Sequence, residues 1–296
     1  MTTDNLPAEL PQINSLWDFS KPEKSEAAFR NLLPVANKLG NEAYRLQLLT
    51  QVARAQGLQR KFEEAHATLD EVATQLPDIA AIVHVRYHLE RGRVFNSSQK
   101  REESKPQFLK AWQIARDAGE DNLAVDAAHM LGIVEPADEA LRWNEQAMTL
   151  AEQSADATCR NWLGSLYNNI GWTYHDKGDY RQALELFEKA LAFREEKKQA
   201  PEIRIARWCI ARTLRSLNRI DEALAMQQAL LQEHKAAGTS DGYVVEELGE
   251  CLLLLERAND ATKFFSLAYQ ELSKDDWLTS NEPDRIARLK LLGNVV

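Results

Sequence analysis

One short pattern of residues recurs along most of this chain. In its clearest copy, Tyr167 and Ile170 stand three positions apart and Gly171 follows directly. A Lys-Gly-Asp turn comes next, and after it Ala183 and Phe187 stand four positions apart. These spacings place the apolar residues on one face of a helix, and the turn predicts a break before a second helix. The pattern therefore predicts a helix–turn–helix hairpin.

Further copies keep the small residue that opens the second helix. It lies at positions 65, 104, 140, 183, 223 and 261, so successive copies are 39, 36, 43, 40 and 38 residues apart. One hairpin cannot bury its own apolar face, and hairpins of this kind stack side by side to do so. We expect six repeats, at about 46–80, 85–118, 121–155, 164–199, 204–237 and 242–275.

The sequence on either side of the repeats predicts two further elements. A helix over residues 23–38 should precede them, with Pro34 kinking or ending it. Residues 281–296 are expected to hold an amphipathic capping helix, which a helical stack needs at its end. Residues 1–20 are polar and are expected to be partly disordered, which leaves 21–275 for the stack itself.

The pattern resembles the tetratricopeptide repeat, in which a glycine and a following alanine–aromatic pair recur in the same order. Its spacing exceeds the usual value of about 34 residues, so the chain is most similar to the long repeats of kinesin light chains and bacterial peptide-sensing regulators. The resemblance implies an all-α, right-handed superhelical solenoid of about six antiparallel helix pairs. It also implies that partners dock on the concave surface.

Composition narrows the class of partner. The chain has 45 acidic and 36 basic residues among 296, a net charge of −9, whereas a nucleic-acid-binding domain is usually basic. No apolar run approaches the roughly 18 residues of a membrane span, and the N-terminus resembles no export signal. Three cysteines, odd in number and far apart, favour a reducing compartment. We expect a cytoplasmic protein that binds neither nucleic acid nor membrane.

The sequence contains no familiar motif for catalysis or metal binding. It lacks the phosphate-binding, zinc-protease, Cys-x-x-Cys and serine-hydrolase patterns. His84 and His88 have a spacing that could share a metal, but no third ligand is near in sequence, and His88 is expected to pack in the core. We expect no catalysis, no cofactor and no metal. An enzyme would need a cluster of titratable groups in a concave pocket.

The candidate binding residues lie on the first helix of each repeat, opposite its apolar face. At about 100° per residue, this stripe contains arginine and tryptophan, the residue types enriched at binding hot spots. The candidates are Arg54, Arg86, Arg93, His129, Asn168, Trp172, His175, Trp208, Arg212, Arg215, Tyr243, Glu246 and Glu250. Those near Trp172 and Trp208 are predicted to form an aromatic and cationic pocket for an acidic or C-terminal peptide segment. The alternative is that both tryptophans merely pack between neighbouring helices.

These features favour a non-catalytic adaptor that binds a partner protein or peptide in the concave groove. The alternative is a ligand- or peptide-gated regulator whose superhelix changes shape on binding. The carboxylate clamp known in the family is not preserved: Asn169 fits its middle position, but Ile205 and Cys209 stand where Lys and Arg are required. Self-association through apolar positions such as Leu253 and Leu254 is a further interaction that the sequence allows.

Overall fold

The computed structural model describes residues 10–295, and the regular structure in that range is helical. A 3₁₀ turn at Ile13–Leu16 precedes the α-helices. These are α1 Pro22–Lys38, α2 Glu42–Leu58, α3 Phe62–Ala73, α4 Ala81–Ser97, α5 Arg101–Ala118, α6 Asp121–Val134, α7 Ala137–Gln153, α8 Ala157–Arg160, α9 Leu163–Asp176, α10 Tyr180–Glu196, α11 Ala200–Ser216, α12 Ile220–Ala236, α13 Gly242–Leu254, α14 Ala258–Leu272, α15 Asp276–Asn281 and α16 Pro283–Leu292. None of these helices is long and apolar enough to cross a membrane.

The predicted all-α fold of helix pairs is confirmed. The six pairs are α2 with α3, α4 with α5, α6 with α7, α9 with α10, α11 with α12, and α13 with α14. The preceding helix α1 does not end at Pro34. Phe29 and Ala36, on either side of the proline, are both fully buried, and their packing offsets the hydrogen bond that proline removes.

The helices form two compact units. Unit 1 ends at Trp162 and contains α1 to α8, and unit 2 begins at Leu163 and contains α9 to α16. The repeat pattern predicted one array over 21–275 and gave no sign of this boundary. It falls within the longest spacing between repeats, where the short helix α8 is inserted between two pairs.

The flanking segments are described in part. Residues 1–9 of the predicted N-terminal segment 1–20 and residue 296 of the predicted capping segment 281–296 lie outside the described residues. Ile13 of the 3₁₀ turn is buried with Phe29 in the first core cluster, and Trp17 packs beside it. At the other end, α16 packs on α14, with Leu289 fully buried.

Three of the six repeats are closed by a contact between a glycine of the first helix and an aromatic ring of the second. In the pair α9–α10, a Cβ added to Gly171 would lie 2.7 Å from the ring of Phe187, which is fully buried. Gly92 faces Phe108, and Gly249 faces Phe265, in the same way. The absence of a side chain on the first helix therefore lets the aromatic ring of the second helix close the pair.

The fifth repeat is one of those without this contact. Gln227 occupies the aromatic position, is fully buried, and has no hydrogen-bond partner for Nε2 or Oε1 within residues 10–295.

Gln227→Leu is expected to raise the free energy of unfolding by about 1–3 kcal/mol, because it removes an unsatisfied buried amide. Urea denaturation measures the change. Gln228→Leu, which changes the exposed neighbouring residue, is the control. A loss of stability in Gln227→Leu would show that the buried amide of Gln227 is not unsatisfied.

Candidate binding surfaces on the first helices

Three aromatic side chains form a continuous row on the first helices of unit 2. Trp172 of α9 and Trp208 of α11 have ring centroids 5.8 Å apart, and Tyr243 of α13 lies 6.0 Å beyond Trp208. The row runs diagonally: counted from the small residue of each first helix, Gly171, Ala211 and Gly249, Trp172 stands one position after it, Trp208 three before and Tyr243 six before. Both indoles keep part of their surface exposed, so neither is sealed in the core. We call Trp172, Trp208 and Tyr243 the aromatic row.

A cavity of about 470 Å³ adjoins the end of the aromatic row. Its apolar wall includes Trp208, Tyr243 and Ile205, and the Ile205 side chain is 55% exposed. His234 and Asp241 stand on its polar edge, and the Asp241 carboxylate accepts hydrogen bonds from the first amides of α13. An apolar hollow of this size with a few polar groups is typical of sites that take a ligand or a side chain.

One hydrogen-bond donor in the aromatic row is unused. Trp208 Nε1 is buried and has no acceptor in the part of the chain that the structure describes. Burial raises the pKa of the Cys209 thiol, next to Trp208 in the chain, to about 12. A buried donor without an acceptor costs about 1–3 kcal/mol, which a bound acceptor would recover.

The arginines beside the aromatic row are neutralised. Arg212 Nε lies 3.0 Å from Glu247 Oε1, and Arg215 Nε lies 2.7 Å from Glu247 Oε2. The Glu247 side chain is only 6% exposed. The prediction that these arginines offer free positive charge beside the tryptophans is therefore wrong, because a carboxylate of the next first helix occupies both of them.

The remaining acidic candidates of unit 2 are also paired. Glu246 accepts from Arg285 Nε at 2.9 Å, and Glu250 is bonded to Arg288. Both arginines belong to α16, and Arg285 lies over the Tyr243 ring, 5.3 Å from its centroid. Glu246 and Glu247 are both buried, although adjacent carboxylates on a helix are usually solvated.

His175 lies in a polar cluster that resembles a catalytic triad only in composition. Its Nε2 is 3.0 Å from Ser216 Oγ, but its Nδ1 is 3.8 Å from the exposed Asp176, longer than a hydrogen bond. The Ser216 hydroxyl also accepts from Arg212 Nη1 and contacts the Arg212 carbonyl. Burial, followed by the charge of Arg212, lowers the pKa of His175. The arrangement fixes these side chains in place and does not activate the serine.

A small cavity of about 180 Å³ is lined by Asn168, Asn169, Arg194 and Ile205. Asn168 Oδ1 accepts a weak hydrogen bond from Cys209 Sγ at 3.5 Å. Ile205 lines this cavity as well as the larger one beside Trp208, so it separates the two. Asn168 thus lies next to the aromatic row, as the sequence predicted, although its amide is turned toward α11.

The arginine candidates of unit 1 belong to a network of buried charges. Arg93 contacts Glu90 Oε1 at 2.8 Å and also pairs with Asp126, while Arg54 lies 3.7 Å from Glu90 Oε1. Arg86 binds neutral groups, with its Nε 3.1 Å from Gln47 Oε1. These five charged residues come from the first helices α2, α4 and α6, and we call them the unit 1 charge cluster.

Residues near the N-terminus lie against the same face of unit 1. Trp17 Nε1 donates to Gln51 Oε1 at 3.0 Å, and the ring of Phe19 stacks on Trp17 with centroids 4.7 Å apart. The Arg54 guanidinium lies over both rings. Asn14 reaches Arg86 Nη2 at 3.5 Å. This segment therefore borders the unit 1 charge cluster.

The histidines are mostly held by packing. His88 is buried, as the sequence predicted, with Nδ1 2.8 Å from Gln107 Oε1. His129 packs against Trp162 with ring centroids 5.4 Å apart. Within the described range, no three His, Cys, Asp or Glu side chains are grouped as a metal site requires. Cys159, Cys209 and Cys251 are free and buried.

Buried histidines make the stability of the fold depend on pH. Burial is the largest cause of the lowered pKa values of His66, His88, His129 and His175. The unfolded chain therefore binds protons more readily than the folded chain, and stability present above the ordinary histidine pKa of about 6.5 is lost as pH falls below it. Urea midpoints should decrease from pH 7.5 to 5.5, with a shallower decrease in His129→Gln. A midpoint that rises on acidification would contradict this.

Known proteins share this architecture. Residues 128–196 match the family model described as tetratricopeptide repeat. No curated protein sequence matches the chain. The apo form of RapI has a TM-score of 0.73 at 13% identity, over 96% of this chain and 80% of that one.

Two further solved structures resemble the chain at 14% identity. A signal-transduction ATPase with a tetratricopeptide repeat sensor from Pyrococcus horikoshii has a TM-score of 0.68, over 91% of this chain and 44% of that one. The apo quorum sensor NprR from B. thuringiensis has a TM-score of 0.57, over 93% of this chain and 82% of that one. Residues 128–196 thus match the tetratricopeptide repeat family model, and the fold of the chain is similar to that of tetratricopeptide repeat proteins.

Proposed function

We propose that this chain is a non-catalytic, cytoplasmic adaptor that binds a peptide segment of a partner protein on the first helices of unit 2. The observation that carries the proposal is the cavity of about 470 Å³ walled by Ile205, Trp208 and Tyr243. The resemblance to tetratricopeptide repeat proteins supports a binding role, and three free buried thiols fit a reducing compartment.

The chemistry of the cavity selects an apolar or aromatic anchor. Its wall is formed by Ile205 and two rings of the aromatic row, which favour a side chain that can be packed between them. The unused Trp208 Nε1 donor suits a main-chain carbonyl next to that anchor. Arg204, His234 and Asp241 stand on the cavity's polar edge, whereas Arg212 and Arg215, which Glu247 neutralises, do not line it.

The experiment begins with selection of peptides from a random library on the immobilised full chain. Affinities of the selected peptides are then measured by fluorescence anisotropy for the wild type and for Trp208→Ala. We expect the peptides to share an apolar or aromatic anchor and Trp208→Ala to weaken binding by about 10- to 100-fold, the loss typical of a hot-spot residue.

The matched control is Trp277→Ala, which removes another partly exposed indole of unit 2 away from the cavity. It should bind the selected peptides with the wild-type affinity. Circular dichroism establishes that each variant is folded. Equal affinity of Trp208→Ala and wild type, with the fold intact, would overturn the proposal.

The second candidate function is a peptide-gated regulator, in which binding changes the superhelix. The likeness to the quorum sensor NprR and to the sensor of the P. horikoshii ATPase favours it. Small-angle scattering with and without a selected peptide separates the two functions. An adaptor should keep its radius of gyration, whereas a gated regulator should change it when peptide is bound.

A further inference from the structure

The unit 1 charge cluster holds more positive than negative charge. Three guanidinium groups, of Arg54, Arg86 and Arg93, face the two carboxylates of Glu90 and Asp126, which leaves one positive charge unbalanced (3 − 2 = 1). This differs from unit 2, where Glu247 neutralises the arginines beside the aromatic row. A surplus charge within a partly buried cluster is costly unless an anion joins it.

The surplus lies on Arg86 and Arg54. Arg86 makes hydrogen bonds only to the neutral side chains of Gln47 and Asn14 among the residues described. Arg54 shares Glu90 Oε1 with Arg93 and stands 3.7 Å from it, against 2.8 Å for Arg93. Burial is the largest cause of the lowered pKa of both Arg54 and Arg86, so the folded chain disfavours their charge as it stands.

The same cluster contains an unused acceptor. Glu90 Oε2 is buried and has no hydrogen-bond donor within residues 10–295, although the side chain is only 2% exposed. Its other oxygen is crowded, since Gln51 Nε2 approaches it at 3.3 Å in addition to Arg93 and Arg54. The cluster thus lacks both an anion beside its arginines and a donor beside Glu90.

We propose that the first helices of unit 1 bind an acidic peptide segment, whose carboxylate pairs with Arg86 and Arg54 and whose main-chain N–H donates to Glu90 Oε2. Peptides carry both groups within a few ångströms of one another. A single carboxylate balances the surplus of one charge, whereas a phosphate near −2 would leave the cluster negative. A planar guanidinium group can also donate two parallel hydrogen bonds to the two oxygens of a carboxylate.

The proposal of this site rests on the proposed function only because both ligands are peptides. Its residues differ from those of the cavity beside Trp208. The acidic recognition that the sequence predicted beside Trp172 and Trp208 is thereby assigned to the other unit. Trp208→Ala should weaken peptide binding in unit 2 and leave the affinity of unit 1 for the acidic peptide unchanged, so the failure of one proposal is distinguishable from the failure of the other.

The test is a calorimetric titration of the full chain with short peptides of defined charge. The probe is acetyl-Ala-Glu-Ala amide, and acetyl-Ala-Gln-Ala amide is its neutral counterpart. Acetyl-Ala-Gln-Ala with a free carboxyl end distinguishes a chain terminus from an acidic side chain, and inorganic phosphate serves as the non-peptide anion. We expect the Glu peptide to bind at least about tenfold more tightly than the Gln amide, as expected for a charge-assisted contact.

Variants assign the binding to the cluster. Arg86→Gln should lower the affinity for the Glu peptide about tenfold or more. Arg86→Lys, which keeps the charge but cannot donate two parallel hydrogen bonds, should lower it less. Arg142→Gln removes an exposed arginine of the same unit and should change nothing. Equal binding of the Glu and Gln amides, unchanged affinity in folded Arg86→Gln and Arg86→Lys, or phosphate binding more tightly than the Glu peptide would each overturn the proposal.

Discussion

Glu247→Ala is expected to destabilise unit 2 by about 3–5 kcal/mol, the range measured when one member of a buried ion pair is removed. Glu247 is buried and is the shared carboxylate of Arg212 and Arg215. Removing it leaves two guanidinium groups side by side without a counter-charge. Glu247→Gln keeps the shape of the side chain and some of its hydrogen bonds, so its loss should be smaller.

Urea denaturation followed by circular dichroism measures this change. Glu222→Ala is the control, because Glu222 forms an exposed ion pair with Arg219 on the surface of the same unit, and its removal should hardly move the midpoint. If Glu247→Ala were as stable as Glu222→Ala, Glu247 would not be the residue that holds the arginines beside the aromatic row.

Phe187→Ala is expected to cost about 3–5 kcal/mol as well, for a different reason. Phe187 is fully buried, fills the contact with Gly171, and lies 5.2 Å from the Trp172 ring. Alanine would leave a cavity between α9 and α10 that the helices can fill only in part. Because Trp172 rests on this ring, the aromatic row should also lose its order, and affinity for selected peptides should fall.

The matched control is Leu267→Ala, which trims a large apolar side chain of the same unit that is about half exposed. It should lower the free energy of unfolding by much less than Phe187→Ala. Phe187→Leu, which keeps most of the volume, should lie between the two. A loss below about 1 kcal/mol in Phe187→Ala would show that the site is not close-packed.

The fold could be predicted because its determinants are local. In three pairs a glycine and an aromatic residue that meet, such as Gly171 and Phe187, lie sixteen positions apart and recur in register. The division after Trp162 could not be found in this way, since it depends on how the segment around α8 packs rather than on the repeat itself.

Of the candidate site, only the grouping of the aromatic residues could be predicted from the sequence, and the pairing of the charged residues could not. Helical periodicity placed Trp172 and Trp208 on the same side of successive first helices, and the structure brings them together. The partners of the arginines come from residues more than thirty positions away, which periodicity does not pair. The sequence contained one sign of this pairing. Glu246 and Glu247 stand within an apolar stretch, where a carboxylate is buried only if it is paired.

The central claim is that a peptide occupies the cavity beside Trp208. It is tested most directly by the ¹⁵N–¹H correlation spectrum of the tryptophan indoles, recorded during titration with a selected peptide and assigned with Trp208→Phe and Trp277→Phe. We expect the Trp208 Nε1–H resonance to shift as that donor finds an acceptor, while the Trp277 resonance stays in place. A bound peptide that leaves the Trp208 resonance unmoved would contradict it.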